Sequence, residues 1–172
     1  FGGDQPHLRG LAWCRATAAL VQPLLAPAQA ALLAAETAFQ QEVATSVAGA
    51  ALPHGPIHAD LFRDNVMFDD AAGEDRLSGL IDFYFAGTDA LLFDIAVCLN
   101  DWCTDLDSGR LDEPRAAAFV ASYERARALS HGERRLMPAL LRAAALRFWL
   151  SRLVDRHLPR AATLLQPKDP AH

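Results

Sequence analysis

The run His58-Ala-Asp-Leu-Phe-Arg-Asp-Asn65, together with Asp82, constrains the fold of this chain more than any other feature. Two apolar runs lie between them, separated by a polar stretch that contains Gly73, a pattern typical of two strands joined by a turn. If the hairpin is symmetric about Gly73 and Glu74, Asn65 at its start lies opposite Asp82 at its end. The sequence therefore predicts two oxygen-bearing side chains side by side at the open end of a β-hairpin.

These side chains suit a magnesium site beside a free carboxylate. Mg²⁺ binds oxygen ligands from one or two protein side chains and takes its other ligands from water and substrate phosphates, so Asn65 and Asp82 are the candidate metal ligands. Asp60 is the candidate catalytic residue, because a carboxylate can orient a hydroxyl group and accept its proton. The pattern indicates transfer of a phosphoryl group to a hydroxyl.

The same residues resemble a known family. The pattern His-x-Asp-x-x-x-x-Asn, followed by a strand that ends in Ile-Asp, is similar to the catalytic and metal-binding segments of the protein-kinase-like fold, in its aminoglycoside-phosphotransferase and choline-kinase branch. The likeness covers nearly the whole chain, from Arg9-Gly-Leu-Ala-Trp13 to Lys168-Asp-Pro-Ala-His172. Within this branch the chain resembles bacterial homoserine kinases most clearly in the runs 58–65, 81–86, 100–103 and 146–152.

The resemblance implies a reaction and a set of residue roles. The reaction is ATP- and Mg²⁺-dependent phosphorylation of the hydroxyl of L-homoserine to O-phosphohomoserine, a step of threonine biosynthesis. Asp60 is then the catalytic residue, and Asn65 and Asp82 hold the metal. His58 and Asp94 support the catalytic loop, His58 through hydrogen bonds of its own and Asp94 by accepting bonds from the loop backbone.

The resemblance also implies the organisation of the chain. It is expected to be mainly α-helical with a small β-hairpin, as the C-terminal (large) lobe of such a kinase. Residues 9–158 form this lobe, with the catalytic loop at 57–65 and the metal loop at 80–88; residues 1–8 are a hinge remnant and 159–172 a tail. Because the only lysine lies in the tail and no glycine-rich phosphate loop occurs, the nucleotide-binding N-terminal lobe is expected to be absent and this piece alone to be inactive.

Apolar periodicity predicts five helices around the two loops. Asp112 is expected to cap the fourth helix, and Ser130 with Glu133 matches a capping box at the start of the fifth. Glycine and proline residues predict an irregular connector at 48–56. The helices are predicted at about 9–26, 28–47, 90–102, 113–129 and 133–157.

Four residues near the loops are candidates for substrate binding. Asp101 and the indole of Trp102 suit an ammonium group, and Tyr84 can line the site. Arg63 can contact the transferred phosphate or a substrate carboxylate. The alternatives are a solvated helix end for Asp101 and a surface ion pair between Arg63 and Asp64.

Side chains on the last helix and in the metal loop extend this set. Arg147 or Arg152 can bind a substrate carboxylate through two parallel hydrogen bonds, and an ion pair within the protein is the alternative for both. Phe83 and Phe85 are expected to pack in the core under the metal loop.

Composition limits the other classes of protein. A net charge of −5 without a basic block argues against a nucleic-acid surface. Three cysteines without metal-ligand spacing indicate buried, reduced thiols, and without a signal peptide or long apolar segment we expect a cytoplasmic protein with no membrane contact.

Three alternatives to a homoserine kinase remain open. The first is a kinase of the same fold that acts on choline, ethanolamine or an aminoglycoside. The second is a metal-dependent hydrolase built on His54, His58, Asp60 and Asp82, which zinc content would reveal. The third is a folded module without catalytic activity, whose exposed apolar surface would promote self-association.

Overall fold

The computed structural model describes residues 5–70, 73, 75–105 and 107–158. Helices dominate this part of the chain, and four short strands form two antiparallel pairs within it. The prediction of a mainly α-helical chain with a small β-hairpin is therefore confirmed. Residues 1–4 of the predicted hinge remnant, Glu74 of the predicted turn and the predicted tail at 159–172 lie outside the described residues.

The helices follow the predicted order with different ends. Pro23 lies in a 3₁₀ turn, Gln22–Leu24, and the first helix ends before it because proline offers no N–H to the helical ladder. The third predicted helix, at 90–102, begins two residues later than predicted, at Leu92, since residues 87–90 form a strand. The helices of the described chain are α1 (Leu11–Val21), α2 (Pro27–Thr45), α3 (Val47–Ala50), α4 (Leu92–Trp102), α5 (Glu113–Ala126) and α6 (His131–His157).

Both predicted helix caps are confirmed. The Asp112 side chain accepts a hydrogen bond from the backbone N–H of Arg115 at 3.0 Å. The Ser130 hydroxyl accepts from the N–H of Glu133 at 3.2 Å, and the Glu133 carboxylate accepts from the N–H of Ser130 at 2.8 Å. These bonds satisfy N–H groups that the first turns of α5 and α6 leave unpaired.

The four strands form two ribbons. β1 (His54–Ile57) pairs with β4 (Gly87–Ala90), and β2 (Val66–Asp69) pairs with β3 (Arg76–Leu80). The prediction of an irregular connector at 48–56 was therefore wrong at both ends, since α3 covers residues 47–50 and β1 begins at residue 54. Pro56 lies in β1, whose only described strand partner is β4, and the outer edge of such a strand tolerates a proline that donates no hydrogen bond.

Helices α4 and α6 pack against each other to form the larger of two buried clusters, and α1 and α2 pack on α6 to form the smaller. The three cysteines are buried and free of disulfide bonds, as predicted, and burial raises the pKa of Cys14 and of Cys98 to about 12. Among the described residues, no helix combines the length and apolar character needed to cross a bilayer. The packing of α4 against α6 fixes the two helices that carry the site.

Candidate active site

Helix α4 fixes the loop that follows β1. The Asp94 carboxylate accepts hydrogen bonds from the backbone N–H groups of His58 and Ala59, both at 2.7 Å. Two turns further along α4, Asp101 accepts from the backbone N–H of Arg63 at 2.8 Å. Residues 94 and 101 are seven apart and so lie on one face of the helix. That face therefore holds the loop at both ends.

Trp102 contributes to the same support. Its indole N–H donates to the carbonyl of Leu61 at 3.1 Å, and the thiol of Cys98 donates to that carbonyl at 3.6 Å. The indole ring meets Phe68 edge to face, with 6.2 Å between centroids. The polar end of Trp102 is thus engaged with the protein backbone, and a contact between its ring and a substrate stays a prediction.

The contacts of Asp94 lead to a prediction about stability. Burial raises the pKa of the Asp94 carboxyl, while its two backbone hydrogen bonds favour the ionised form. In Asp94→Asn, one carboxylate oxygen becomes an NH₂ group, so at least one of the two N–H groups loses its acceptor. We expect the free energy of unfolding, measured by urea titration of the 172-residue chain, to fall by about 1–3 kcal/mol.

The exposed Asp107 provides a matched control for this substitution. Asp107→Asn should change the free energy of unfolding by less than about 0.5 kcal/mol. If Asp94→Asn is no more destabilising than Asp107→Asn, the hydrogen bonds that Asp94 accepts do not stabilise the loop.

His58 connects this loop to the segment that carries Asp82. Its side chain is buried, and its Nε2 lies 2.9 Å from the carbonyl oxygen of Ile81. The ring of Phe83 stacks at a tilt on His58, with 4.6 Å between centroids, but Phe83 is 48% exposed. The expectation that Phe83 packs in the core was wrong, because its ring covers His58 from the solvent side; Phe85 does pack against the larger core.

The backbone is unusual on both sides of this connection. Ala59, directly after His58, has φ 64°, and Asp82, directly after Ile81, has φ 60°. Residues other than glycine rarely adopt this left-handed region, and such strain is often found at functional sites. Both chain segments therefore turn sharply just past the hydrogen bond that joins them.

The hairpin register differs from the symmetric one by one residue. Val66 pairs with Leu80, and the N–H of Ile81 donates to the carbonyl of Asn65 at 3.0 Å. Asn65 thus lies opposite Ile81, whereas the symmetric hairpin predicted Asp82 as its partner. Nearer the turn, Phe68 pairs with Leu77, which is two residues from its symmetric partner. An extra residue in β3, Ser78, then reduces this offset to one, and the turn residues alone do not reveal it.

The amide of Asn65 has a defined orientation. Its Nδ2 donates to the backbone carbonyl of Asp60 at 2.7 Å. This bond occupies the nitrogen end of the amide, so Oδ1 is the atom that remains for a metal. It also ties Asn65 directly to the residue predicted to be catalytic.

Asp60 forms an ion pair with Arg147 of α6. Nη1 of Arg147 donates to Oδ1 of Asp60 at 2.9 Å, and the Arg147 side chain is 3% exposed. Its guanidinium lies 4.2 Å from the ring centroid of Phe148 and 4.9 Å from that of Phe85. Burial lowers the pKa of Arg147, which the Asp60 carboxylate opposes. Of the two alternatives for Arg147, the structure shows the ion pair.

Arg63 has a different partner from the one considered in the sequence. Its Nε donates to Oδ2 of Asp101 at 3.2 Å, so the surface ion pair with Asp64 was the wrong alternative. Asp101 thereby has a cationic partner within the protein, and substrate contacts of Arg63 and Asp101 stay predictions. Tyr84 is 74% exposed and meets Phe85 edge to face.

The predicted catalytic and metal-binding residues line one cleft. The cleft has a volume of about 400 Å³, and α6 forms one wall of it. Asn65 and Asp82 offer two oxygen ligands there, a number typical of Mg²⁺ sites that are completed by water and phosphate. The lining residues are Asp60, Phe62, Asp64, Asn65, Asp82, Asp101, Phe148, Ser151, Arg152 and Asp155.

The histidines are engaged in ways that do not suit the hydrolase alternative. Nδ1 of His54 lies 2.7 Å from the carbonyl oxygen of Leu52, and Nε2 of His58 is bonded to Ile81. Within the described ranges, no three His, Cys, Asp or Glu side chains come together as a metal-binding group. A zinc site on His54, His58, Asp60 and Asp82 therefore finds no support in this arrangement.

The helical lobe, with Asp60, Asn65 and Asp82 on one cleft, fits the phosphotransferases of the protein-kinase-like fold. The chain belongs to the phosphotransferase enzyme family, whose sequence model matches residues 3–138. This membership confirms the resemblance found in the sequence.

Curated relatives with high identity are homoserine kinases. The chain is 56% identical over 169 residues to the homoserine kinase of Polaromonas naphthalenivorans (strain CJ2). The aligned region covers 98% of this chain and 52% of the relative. It is 52% identical over 168 residues to that of Janthinobacterium sp. (strain Marseille), with 98% and 51% covered. It is 51% identical over 176 residues to that of Paraburkholderia phytofirmans, with 100% and 53% covered. The chain thus spans about half the length of the curated relatives it matches.

Proposed function

We propose that the full-length protein containing this chain is a cytoplasmic kinase that transfers the γ-phosphoryl group of ATP to the hydroxyl of L-homoserine. The observation that carries the proposal is the convergence of Asp60, Asn65 and Asp82 on one cleft. The names of the relatives support homoserine as the acceptor. The family supports ATP as the donor and Mg²⁺ as the metal.

Asp60 is suited to orient the acceptor and take its proton. Arg147 holds Oδ1, so Oδ2 is the oxygen that can accept the hydroxyl proton. The hydroxyl oxygen then forms a bond to the γ-phosphorus, the bond from that phosphorus to the bridging oxygen breaks, and ADP leaves with the electron pair. Arg147 limits the motion of the carboxylate during this step.

Asn65 Oδ1 and the Asp82 carboxylate are the groups that would hold Mg²⁺. When bound, the metal neutralises negative charge on the β- and γ-phosphates. His58 and Asp94 support both loops through the bonds to Ile81 and to the loop N–H groups.

A panel of acceptors tests this function. In an assay of ADP release by the full-length protein with Mg²⁺-ATP, we expect L-homoserine to drive turnover and choline, ethanolamine and kanamycin to leave the rate near background. The physical reason is that these three carry cationic nitrogen but no carboxylate. Chelation of the metal by EDTA should abolish the homoserine-dependent rate.

The same panel separates the alternatives. Turnover with choline, ethanolamine or kanamycin but not with homoserine would support a kinase activity and reject homoserine as its acceptor. No turnover with any acceptor would favour a module without catalytic activity.

A further inference from the structure

Recognition of a free amino acid requires two opposite charges close together in the protein. An α-amino acid carries its ammonium and its carboxylate on the same carbon, so one cation and one anion must meet that carbon. The proposed acceptor of this protein has both groups, and its hydroxyl lies at the other end of a short chain. The cleft must therefore contain such a pair within reach of Asp60.

The ion pairs already described leave one arginine of the cleft available. Arg147 is paired with Asp60, and Arg63 is paired with Asp101. Arg152 lines the cleft, and over the described part of the chain it forms no ion pair or hydrogen bond. Its guanidinium is thus the cation of this cleft whose charge no described carboxylate balances.

Asp155 is the matching anion. It lies three residues after Arg152 on α6, a spacing that places side chains about 5–6 Å apart at Cβ on neighbouring turns. It also lines the cleft and forms no ion pair within the described residues. An acidic side chain in the last turn of a helix opposes the helix dipole, so its own helix gives Asp155 no stabilisation.

The other polar side chain that α6 presents to the cleft, Ser151, already has hydrogen-bond partners within the protein. Phe148, Ser151, Arg152 and Asp155 follow one another at helical spacing along the cleft wall. The Ser151 hydroxyl already accepts from Arg9 at 3.0 Å and donates to the carbonyl of Arg147 at 3.1 Å. On this face of α6, the charged groups left for a ligand are therefore those of Arg152 and Asp155.

We propose that Arg152 binds the α-carboxylate and Asp155 the α-ammonium of the amino-acid acceptor. This inference rests on the proposed function and deepens it by naming the residues that select a zwitterion. Asp155 thereby replaces Asp101 as the proposed partner of the ammonium, because the Asp101 carboxylate accepts two hydrogen bonds from Arg63.

Two truncated substrates test each contact separately. 4-Hydroxybutanoate is homoserine without the ammonium, and 3-amino-1-propanol is homoserine without the carboxylate. In the full-length protein, Arg152→Gln should raise KM for homoserine and for 4-hydroxybutanoate by about 10- to 100-fold and leave 3-amino-1-propanol unchanged. Asp155→Asn should instead raise KM for homoserine and for 3-amino-1-propanol and leave KM for 4-hydroxybutanoate unchanged. For an analogue that is not turned over, Ki against homoserine replaces KM.

The crossed pattern is the readout that a merely structural role would not give. Arg135→Gln, an exposed arginine near the other end of α6, is the matched control and should leave every value unchanged. Equal effects of Arg152→Gln on all three substrates, or a rise in KM for ATP, would overturn the assignment and place the guanidinium on the phosphates. Unchanged values in both variants would also overturn it while the kinase function stands.

Binding separates failure of this inference from failure of the proposed function. If the wild-type protein phosphorylates no acceptor, calorimetric titration with L-homoserine still tests the pair. Binding that both Arg152→Gln and Asp155→Asn weaken supports the zwitterion site and rejects only the reaction. No binding of homoserine rejects both.

Discussion

Asp60→Asn is expected to lower kcat for homoserine phosphorylation by the full-length protein by about 10²- to 10⁴-fold. The amide oxygen can still accept the hydrogen bond from Arg147, so the side chain keeps its place. Its other end becomes an NH₂ group that cannot take the hydroxyl proton. The change therefore removes proton acceptance with little change in shape, and KM for ATP should vary little.

The measurement is steady-state ADP release as a function of homoserine and of ATP. Asp107→Asn, an exposed change of the same chemistry outside the cleft, should retain the wild-type kcat. A variant at Asp60 that keeps more than about a tenth of the wild-type kcat would mean that this carboxylate does not accept the proton. In that case the arrangement of Asn65 and Asp82 would still describe a metal site, but the base would have to be sought elsewhere.

The sequence predicts the site at the level of loops because its determinants are local. The spacing from His58 to Asn65 and the position of Asp82 after an apolar strand are enough to place three polar side chains near each other. The caps at Asp112 and Ser130 are predictable for the same reason, since each depends on residues within one turn.

Contacts between elements far apart in the chain cannot be predicted from the sequence alone. Arg147 is 87 residues from Asp60, and its position on the helix left both an ion pair and a substrate carboxylate open for it. Its partner depends on how α6 packs against α4, which no local pattern encodes. The same holds for Arg63, whose partner lies 38 residues away on α4 and not next to it in the chain.

The register of the hairpin is a second feature that the sequence alone does not predict. Next to the turn the strands pair two residues away from the symmetric register, and an extra residue in β3, Ser78, reduces this offset to one, so Asn65 lies opposite Ile81. Strand pairing has a period of two, so a shift of one residue changes which side chain faces which. Asn65 and Asp82 nevertheless line the same cleft, because the left-handed backbone at Asp82 turns the chain directly after Ile81.

The largest expected effect on stability comes from Glu133, at the start of α6. Its carboxylate is fully buried, accepts hydrogen bonds from Arg127 and from the N–H of Ser130, and forms the capping box. Glu133→Gln keeps a side chain that can complete the box but removes the charge opposite Arg127. We expect the free energy of unfolding of the 172-residue chain at pH 7 to fall by about 3 kcal/mol, the lower end for a broken buried pair because Arg127 is partly exposed.

The pH dependence of this loss follows from the ionisation of Glu133. Burial alone would raise its pKa, but the hydrogen bonds from Arg127 and Ser130 outweigh burial and hold the pKa below the ordinary value for glutamate. A lowered pKa in the folded state gives stability that is present above the pKa of the unfolded chain, near ~4.3. That stability is lost as the pH falls through the lower folded pKa. The difference between wild type and Glu133→Gln should therefore shrink below about pH 4.

A double-mutant cycle with Arg127→Met isolates the ion pair from the cap. If the charges act as a pair, the double variant should be more stable than the sum of the two single losses predicts. Arg134→Gln, which breaks the more exposed pair with Glu124, should cost less than about 1 kcal/mol. Strict additivity at Arg127 and Glu133 would show that the cap, and not the charge, makes Glu133 important. The start of the helix that carries Arg147 and Arg152 would then depend on the hydrogen bonds of the capping box.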